Sequence, residues 1–504
     1  MTPPAPLTPT RIAADVAELL AALGLRTVFS TIDDAFPALA DTLARHQVRL
    51  VGGRNEAAAA AMAVTYARTG HQPALLLLEQ PHGWAAAVPG LNLIDYGDIP
   101  LLVLSPEVHS GDLAASPAST LHLPDKQQVS VMITRAARTA QDHHRPVLLR
   151  TGPNAAAADE SPKAPTPDAT ALKDLSALLL KAHRPIFIAG RGAASAAAPL
   201  ERLAEQAGAL LATTLGGHGM FSSNPWNIGI AGTLASPETA ELLGAADLVV
   251  AWGCTLDTWT TRRGTLLSPQ ARLAQIDINP AALGLHHRID LGVAGDTRHT
   301  AEALLPALPE QRTGYRSATM RQRVLSRQSR TYEAVPGRID PRSFFLLLDA
   351  LLPAERTLVV EQGTAMGPAV SHLRIPDAAG FCLVPAPGLG LAGGIGAALA
   401  RPDRLAVTVL DAGSALMAVE RETAAGLGAP LLIVVCDESA EHAPAGDLIA
   451  GWTSAVVRCP ADMTAVSAWL GGPRNHPLLL HAKVTRMDWW LAELAATCRP
   501  EGTR

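Results

Sequence analysis

Short continuous apolar runs alternate along this chain with segments whose apolar residues recur at helical spacing. Ile12, Val16 and Leu19 lie on one face of such a segment, and Gly24 follows as a natural stop. An apolar run of the kind that fills a buried strand then spans 27–29. Helices that alternate with continuously apolar strands predict a parallel sheet whose two faces are both covered.

The alternation continues along the chain. We predict a helix over 35–44 and another that begins at Glu56. The other predicted strands of the first third are 48–51, 74–78, 100–104 and 146–149. A second βα unit begins at Arg184 with RPIFIAGRGA, passes through 213–221 and 246–253 and reaches 274–280. Further strands are predicted at 357–360, 405–410 and 431–436.

Two polar stretches divide the chain into three parts. The first, 155–170, is rich in proline and alanine, and the second, 309–340, is rich in arginine with room for a short helix. A chain of 504 residues is also too long for one core. We therefore predict three doubly wound α/β domains with parallel sheets, at 1–153, 171–308 and 341–504.

Charge, cysteine content and apolar run length narrow the class of protein. A net charge of -5 and a pI near 6.3 give no basic field for nucleic acid. Five scattered cysteines without a CxxC pair predict neither a disulfide framework nor a zinc site, and favour the cytoplasm. No apolar run reaches the ~18 residues of a membrane span, and no leader segment is recognisable. We attribute the high alanine content to genome base composition rather than to the fold.

One carboxylate stands at the start of a predicted alanine-rich helix, just after an apolar strand. The segment 51–68, VGGRNEAAAAAMAVTYAR, places Arg54, Asn55 and Glu56 at this junction. It resembles the N-terminal domain of thiamine-diphosphate enzymes of the acetolactate synthase and benzoylformate decarboxylase superfamily. The resemblance implies that Glu56 activates the cofactor through a hydrogen bond to its aminopyrimidine ring. The alternative is a first-turn glutamate that complements a helix dipole.

The resemblance extends over nearly the whole chain, in the order pyrimidine-binding, central and pyrophosphate-binding domain. In the central part it is carried by 276–280, IDINP, and 295–297, GDT. Asp277 and Asp296 in these strings are predicted to be turn or cap residues.

A second candidate catalytic residue follows the predicted strand 74–78. The segment 79–84, EQPHGW, stands where the family has a glycine-proline-glycine turn, so that Gln80 and His82 occupy the glycine positions. A histidine titrates near neutral pH and can relay protons to an intermediate. A hydrogen-bonded loop histidine is the equally open alternative.

Segments of the third domain resemble those that hold the cofactor. The resemblance implies contacts with the diphosphate or the bent cofactor from the following residues: Glu361, Gln362, Gly363, Pro387, Gly388, Leu389, Gly390, Gly413 and Ser414. The apolar residue that props the cofactor falls on Pro387 without a gap and on Leu389 after a small shift. Leu389 could equally be a core residue.

The same glycine-rich string also spells G-x-G-x-x-G, and Asp411 ends the next predicted strand. This pattern mimics a dinucleotide-binding fingerprint. Pro385 and Pro387 argue against it, because they lie where its first strand should pair.

In the family, magnesium is held by an aspartate of a glycine-aspartate-glycine motif, a later asparagine and a backbone carbonyl. Here residues 410–414 read LDAGS, and Asp437 and Glu438 replace the asparagines. The aspartate position falls on Ala412 or on Asp411, depending on the direction of alignment. The metal candidates are therefore Asp411, Glu438 and the carbonyl of Ala440. The alternatives are a strand-end cap at Asp411 and a solvated loop at 437–438.

The resemblance implies a thiamine-diphosphate-dependent decarboxylase or carboligase that acts on a 2-keto acid. Because the family builds each site across two subunits, it also implies a homodimer or homotetramer. The alternative is a catalytically silent homologue that serves as a binding or regulatory subunit. The segment after Glu438 is where substrate contacts are expected, with His442 a candidate by location only.

Overall fold

The computed structural model describes residues 8–80, 82–93, 99–106, 119–123, 128–143, 146–151, 165–325, 335–426, 428–439 and 452–486. The chain divides into two compact units. Unit 1 comprises Met1–Ser161, Glu333–His372 and Ala379–Thr485, and unit 2 comprises Pro162–Tyr332, Leu373–Ala378 and Arg486–Arg504. No helix within the described ranges is long and apolar enough to cross a lipid bilayer.

The N-terminal part of unit 1 forms a six-stranded parallel sheet. Its strands are β1 (Thr27–Thr31), β2 (Arg49–Gly53), β3 (Ala74–Leu77), β4 (Leu101–Pro106), β5 (Ser119–Leu123) and β6 (Val147–Thr151). They lie in the order β2-β1-β3-β4-β6-β5. The helices are α1 (Pro9–Asp15), α2 (Ala17–Ala22), α3 (Phe36–Arg45), α4 (Glu56–Gly70), α5 (Gly83–Leu91) and α6 (Val129–His143).

Unit 2 contains a second six-stranded parallel sheet. Its strands are β7 (Pro185–Ala189), β8 (Leu210–Thr213), β9 (Asn227–Ile230), β10 (Leu248–Trp252), β11 (Arg272–Asp277) and β12 (Leu291–Ala294), in the order β12-β11-β10-β7-β8-β9. The helices are α7 (Ala169–Lys181), α8 (Ala197–Ala207), α9 (Pro237–Gly244), α10 (Thr297–Leu304) and α11 (Ala318–Leu325). Asp296 caps α10 by accepting a hydrogen bond from the His299 amide, and Asp277 accepts one from the Asn279 amide. Both are thus the cap and turn residues that we predicted.

The C-terminal part of unit 1 forms the third six-stranded parallel sheet. Its strands are β13 (Arg356–Glu361), β14 (Phe381–Val384), β15 (Leu405–Asp411), β16 (Leu431–Asp437), β17 (Thr453–Val457) and β18 (Leu478–Lys483), in the order β14-β13-β15-β16-β18-β17. The helices are α12 (Pro341–Leu351), α13 (Met366–His372), α14 (Gly390–Ala400), α15 (Ala412–Met417), α16 (Arg421–Ala425) and α17 (Thr464–Leu470).

The prediction of three parallel-sheet α/β folds is confirmed. Continuous apolar strands are required because neighbouring residues of one strand enter different cores: Val28 packs into one apolar cluster and Phe29 into another. The predicted short helix of the second polar stretch is α11. Most of the first polar stretch lies outside the described residues, and the exact domain boundaries remain a prediction.

Within unit 1, helices α4 and α14 approach each other more closely than ordinary side chains allow. A side-chain carbon added to Gly396 of α14 would lie 2.3 Å from the carbonyl oxygen of Met62 in α4. The α4 alanines at 58–61 and 63 are buried in the same apolar cluster. Our attribution of alanine to genome composition is therefore wrong for α4, where small residues permit the helix contact.

Candidate functional site

Glu56 is the first residue of α4 and follows directly on the end of β2. Asn55 caps the helix, because its side-chain oxygen accepts a hydrogen bond of 2.8 Å from the Ala58 amide. The Glu56 side chain is half-buried. A side-chain carbon on Gly83 would lie 3.7 Å from Glu56 Cγ and 3.9 Å from Oε1. The carboxylate therefore lies next to the start of α5, at a spacing that leaves ordinary van der Waals room at Gly83.

His82 immediately precedes α5 and is exposed. Its imidazole is therefore open to solvent, one residue from the glycine that faces Glu56. A nearby acid that we did not predict as functional is Glu79, which is half-buried and accepts a hydrogen bond from the Thr10 hydroxyl. Burial raises the pKa of Glu79 above its ordinary value.

The loop between β2 and α4 is held from the C-terminal part of unit 1. The Arg54 amide donates to Glu420 Oε1 at 2.8 Å, and the Thr423 hydroxyl donates to the Gly52 carbonyl at 3.2 Å. Arg54 also forms an ion pair with Glu422. Burial raises the pKa of Glu420, a residue that no sequence motif singles out. These contacts fix the backbone just before Glu56.

Glu361 ends β13 and is 3% exposed. Its Oε2 accepts a hydrogen bond of 2.7 Å from the Gly390 amide at the start of α14. Burial raises the pKa of Glu361, hydrogen bonds partly offset this, and the Asp411 carboxylate raises it further. Two acids therefore lie near each other at the carboxyl edge of the third sheet.

Asp411 ends β15 and accepts hydrogen bonds from a loop of the neighbouring strand. Its Oδ2 accepts from the Thr364 amide at 2.8 Å and its Oδ1 from the Ala365 amide at 3.0 Å. A side-chain carbon on Gly363 would lie 2.0 Å from Oδ2, so only glycine is tolerated there. In the predicted alternative, Asp411 is a strand-end cap. Its side chain does accept backbone amides at the end of β15, but these amides belong to 364–365 and not to the adjacent α15.

The remaining cofactor candidates lie around this edge in different environments. Leu389 is buried in the apolar cluster shared by α4 and α14, which is the core role left open for it, whereas Pro387 is exposed. Gly388 has φ +82° and lies against Met417. Gln362 is exposed, and its amide donates to the Val384 carbonyl. Gly413 is exposed and Ser414 half-buried.

The glycines of the dinucleotide-like pattern have a packing role. A side-chain carbon on Gly390 would lie 2.3 Å from Leu410 Cδ2, and one on Gly393 would lie 3.0 Å from Val384 Cγ2. Gly396 meets Met62 of α4. Asp411, which the dinucleotide interpretation would place on a ribose, accepts the two amides instead. Of the three glycines in the pattern, Gly390 and Gly393 are thus explained by the packing of α14 on the sheet, and Gly388 by its φ of +82°.

Asp437 is buried at the end of β16, so the prediction of a solvated loop there is wrong. Its Oδ2 accepts hydrogen bonds from Lys483 Nζ and, at 2.8 Å, from the His481 ring, both on the adjacent β18. Glu438, the next residue, is half-buried. Ala440 and His442 lie outside the described residues.

The described side chains do not form the expected magnesium site; of the predicted ligands, Glu438 is half-buried and Ala440 lies outside the described residues. Ala412 offers no side-chain ligand, Asp411 already accepts two backbone amides, and the buried Asp437 has an ammonium as its cation. Among the described residues, no group of three or more His, Cys, Asp or Glu side chains is arranged to hold a metal ion. By contrast, the half-buried Glu56 beside Gly83 suits the aminopyrimidine end of thiamine diphosphate.

Comparisons with known proteins agree with this architecture. A model described as thiamine pyrophosphate enzyme, N-terminal TPP binding domain, matches residues 10–130, and a model of the central domain of the same enzymes matches 172–304. Two solved structures share the fold. A thiamine diphosphate-dependent 4-hydroxybenzoylformate decarboxylase from Rhodococcus jostii RHA1 has a TM-score of 0.72 at 21% identity, over 95% of this chain and 99% of that one. A putative thiamin diphosphate-dependent enzyme from Mycobacterium smegmatis has a TM-score of 0.74 at 20% identity, over 95% and 100%.

Curated relatives match at the sequence level. A probable 2-ketoarginine decarboxylase of Pseudomonas aeruginosa is 27% identical over 465 residues, which is 84% of this chain and 81% of the relative. A sulfoacetaldehyde acetyltransferase of Rhodobacter capsulatus is 25% identical, over 80% of this chain and 77% of the relative. An acetolactate synthase large subunit of Parasynechococcus marenigrum is 28% identical, but the match spans only 43% of its length. With two models of one family together covering just over half of its residues, the chain belongs to the thiamine pyrophosphate enzyme family.

Proposed function

We propose that this protein is a thiamine-diphosphate-dependent 2-keto acid decarboxylase or carboligase that resembles acetolactate synthase. The observation that carries the proposal is the half-buried Glu56 carboxylate at the start of α4, next to Gly83 at the start of α5. The names of the relatives support the reaction class, because they include a 2-ketoarginine decarboxylase and an acetolactate synthase. A small 2-keto acid is the proposed substrate.

The residues around Glu56 have separable roles in this proposal. When bound, thiamine diphosphate supplies an electron sink for the bond that breaks in decarboxylation. Glu56 would hold the proton shared with the pyrimidine end of the cofactor, and the Asn55 cap fixes the start of the helix that presents the carboxylate. Gly83 is the residue of α5 next to Oε1. The exposed His82 relays protons between solvent and the reacting group.

The alternative is a catalytically silent homologue that acts as a binding or regulatory subunit. It is favoured by the altered segment 410–414, in which Asp411 is bound to backbone amides. The relatives named for decarboxylase, synthase and transferase activities favour the catalytic function instead.

Substitution of Glu56 by glutamine tests the catalytic proposal. We expect Glu56→Gln to lower the kcat for decarboxylation by about 100-fold or more, since glutamine cannot accept the proton, while the circular dichroism spectrum stays that of the wild type. The assay uses pyruvate and 2-ketoarginine with thiamine diphosphate present. Wild-type activity in the variant would remove Glu56 from the mechanism.

Glu18→Gln is the matched control, because Glu18 is also a first-turn glutamate but is exposed on α2. It should leave kcat unchanged. Light scattering on the same samples should give the mass of two or four chains, as a shared site requires. A single-chain mass in an active sample would contradict the proposed homodimer or homotetramer.

A further inference from the structure

The Asp411 carboxylate lies in a small recess formed by another part of the chain. The amides of Thr364 and Ala365 donate to its two oxygens at 2.8 and 3.0 Å. Gly363 forms the wall of the recess, since a side-chain carbon there would come within 2.0 Å of Oδ2. The recess thus holds an anion by two consecutive backbone N–H groups, and the anion is part of the protein.

The same recess has the features of a binding site for an external anion. Consecutive backbone N–H groups that point to one spot form concavities that bind phosphate oxygens. This spot also lies just past the carboxyl end of β13, the edge at which doubly wound sheets bind their ligands. Residues 361–364 are those whose sequence resembles the segment that approaches a diphosphate.

Negative charge at this edge opposes a second anion. Asp411 occupies the amides, and the buried Glu361 lies close enough for the two carboxylates to repel each other. A diphosphate that approached Thr364 and Ala365 would therefore lack these two donors and would meet like charge. Removal of the Asp411 carboxylate would free the two amides and would also remove one of the two negative charges.

We propose that Asp411 is an internal occupant of an anion-binding recess and competes with the cofactor's diphosphate for the amides of Thr364 and Ala365. The identity of this ligand rests on the proposed function. In this assignment Asp411 sets the affinity for the cofactor and is not a metal ligand. Diphosphate binding then requires the Asp411 side chain to leave the recess.

Calorimetric titration of wild type, Asp411→Ala and Asp411→Asn tests this assignment. The probes are inorganic pyrophosphate and thiamine diphosphate, each with and without magnesium. We expect Asp411→Ala to bind pyrophosphate at least about tenfold more tightly than wild type, with Asp411→Asn between them. Alanine frees both amides, whereas asparagine removes the charge but keeps one acceptor oxygen for one of the two amides. Without ligand, Asp411→Ala should melt at a lower temperature than wild type, and pyrophosphate should restore the loss. If Asp411→Ala does not fold, the inference is tested by the pyrophosphate affinity of Asp411→Asn alone, which should exceed that of wild type.

Asp296→Ala is the control, because Asp296 also accepts a backbone amide, from His299, but lies in unit 2. Its affinity for both probes should equal that of wild type. Equal or weaker binding by the Asp411 variants, including no binding by any form, would overturn the inference. Tight binding by Asp411→Ala without turnover of any 2-keto acid would contradict the proposed function and leave the inference standing. Turnover of a 2-keto acid by the wild type would support the proposed function. If that wild type also bound thiamine diphosphate more tightly than Asp411→Ala does, the inference would be wrong.

Discussion

Asp437 shows how a single buried acid can be held ionised. Burial alone would raise its pKa, but hydrogen bonds from Lys483, Ser439 and His481 outweigh it, so that its pKa lies well below the ordinary value. Burial in turn lowers the pKa of His481, which keeps the imidazole neutral near neutral pH. The folded state therefore binds fewer protons at both groups than the unfolded chain does.

The sign of the resulting pH dependence follows from these two shifts. The contribution of His481 is complete above about pH 6.5, the ordinary histidine pKa, and is lost as the pH falls below it. The contribution of Asp437 is complete above about pH 3.9, the ordinary aspartate pKa, and is lost progressively as the pH falls from that value through the lower pKa of the folded state. We thus expect acid to weaken this cluster in two steps.

Replacement of Asp437 by asparagine should destabilise the protein by about 3 kcal/mol or more at about pH 7, because it leaves the Lys483 ammonium buried without its counter-charge. The difference from wild type should shrink below about pH 4, where Asp437 of the unfolded wild-type chain begins to bind a proton that the folded state does not. Urea denaturation at several pH values measures both effects.

Asp403→Asn is a suitable comparison, since Asp403 is an exposed acid whose pKa the Arg401 hydrogen bonds lower to about 2. Solvent screens this pair, so its loss should leave the unfolding midpoint nearly unchanged. An equal effect of the two substitutions would show that burial does not strengthen the Asp437 cluster.

At the scale of single residues, the sequence predicts positions better than partners. The place of Glu56 follows from an apolar strand that runs directly into a helix, and the structure has that junction between β2 and α4. The role of Asp411 does not follow, because its partners Thr364 and Ala365 lie on the loop of a different strand. Likewise, the burial of Asp437 depends on His481 and Lys483 of β18, whose pairing with β16 no local pattern encodes.

Among the elements, the contact between α4 and α14 is the least tolerant of larger side chains. Gly396→Ala should destabilise the protein by about 1–3 kcal/mol, since the new carbon would meet the Met62 carbonyl oxygen and the two helices must move apart. The midpoint of urea denaturation at neutral pH reports the change.

Gly471→Ala serves as the reference for Gly396→Ala. Gly471 follows α17 with φ -76°, and an added carbon there has only ordinary contacts at 3.5 and 3.7 Å. This substitution should therefore be neutral within about 0.5 kcal/mol. If Gly396→Ala were equally neutral, the helix contact would not depend on small residues.

Interior strands such as β3, β10 and β15 could be predicted from the sequence because they are continuous apolar runs between helical segments. The edge strands β5 (STLHL) and β17 (TSAVV) were not predicted, because polar residues interrupt their apolar pattern. Boundaries could not be predicted: β1 and β2 extend two residues beyond the predicted runs, through Ser30 and Thr31 and through Gly52 and Gly53. Ladder pairing between these strands, and not apolar character, sets their ends. The packing of α4 on α14 could not be predicted either, because the two helices are far apart in sequence.

For the whole molecule, every described candidate site residue belongs to unit 1. Ligand protection against hydrogen exchange should therefore appear in unit 1, where binding suppresses local opening. We expect pyrophosphate to protect peptides around 361–366 and 411–414 of Asp411→Ala, and thiamine diphosphate also to protect peptides around 52–58.

Peptides from the unit 2 strands, 185–189 and 248–252, are the internal reference and should exchange at the same rate with and without ligand. Comparable protection of these peptides would place the ligand elsewhere. Exchange followed by mass spectrometry reads both units in one sample.

Helix α4 also has a consequence for synthesis on the ribosome. It is apolar on nearly all sides, and one of its flanks is covered by α14, which belongs to the last quarter of the chain. At a translation rate of about 5–20 residues per second, synthesis from the end of α4 to α14 takes roughly 15 to 70 seconds. During this time that flank of α4 is exposed in the nascent polypeptide. The N-terminal third should consequently need a chaperone during this interval, and a message truncated before residue 390 should yield insoluble product.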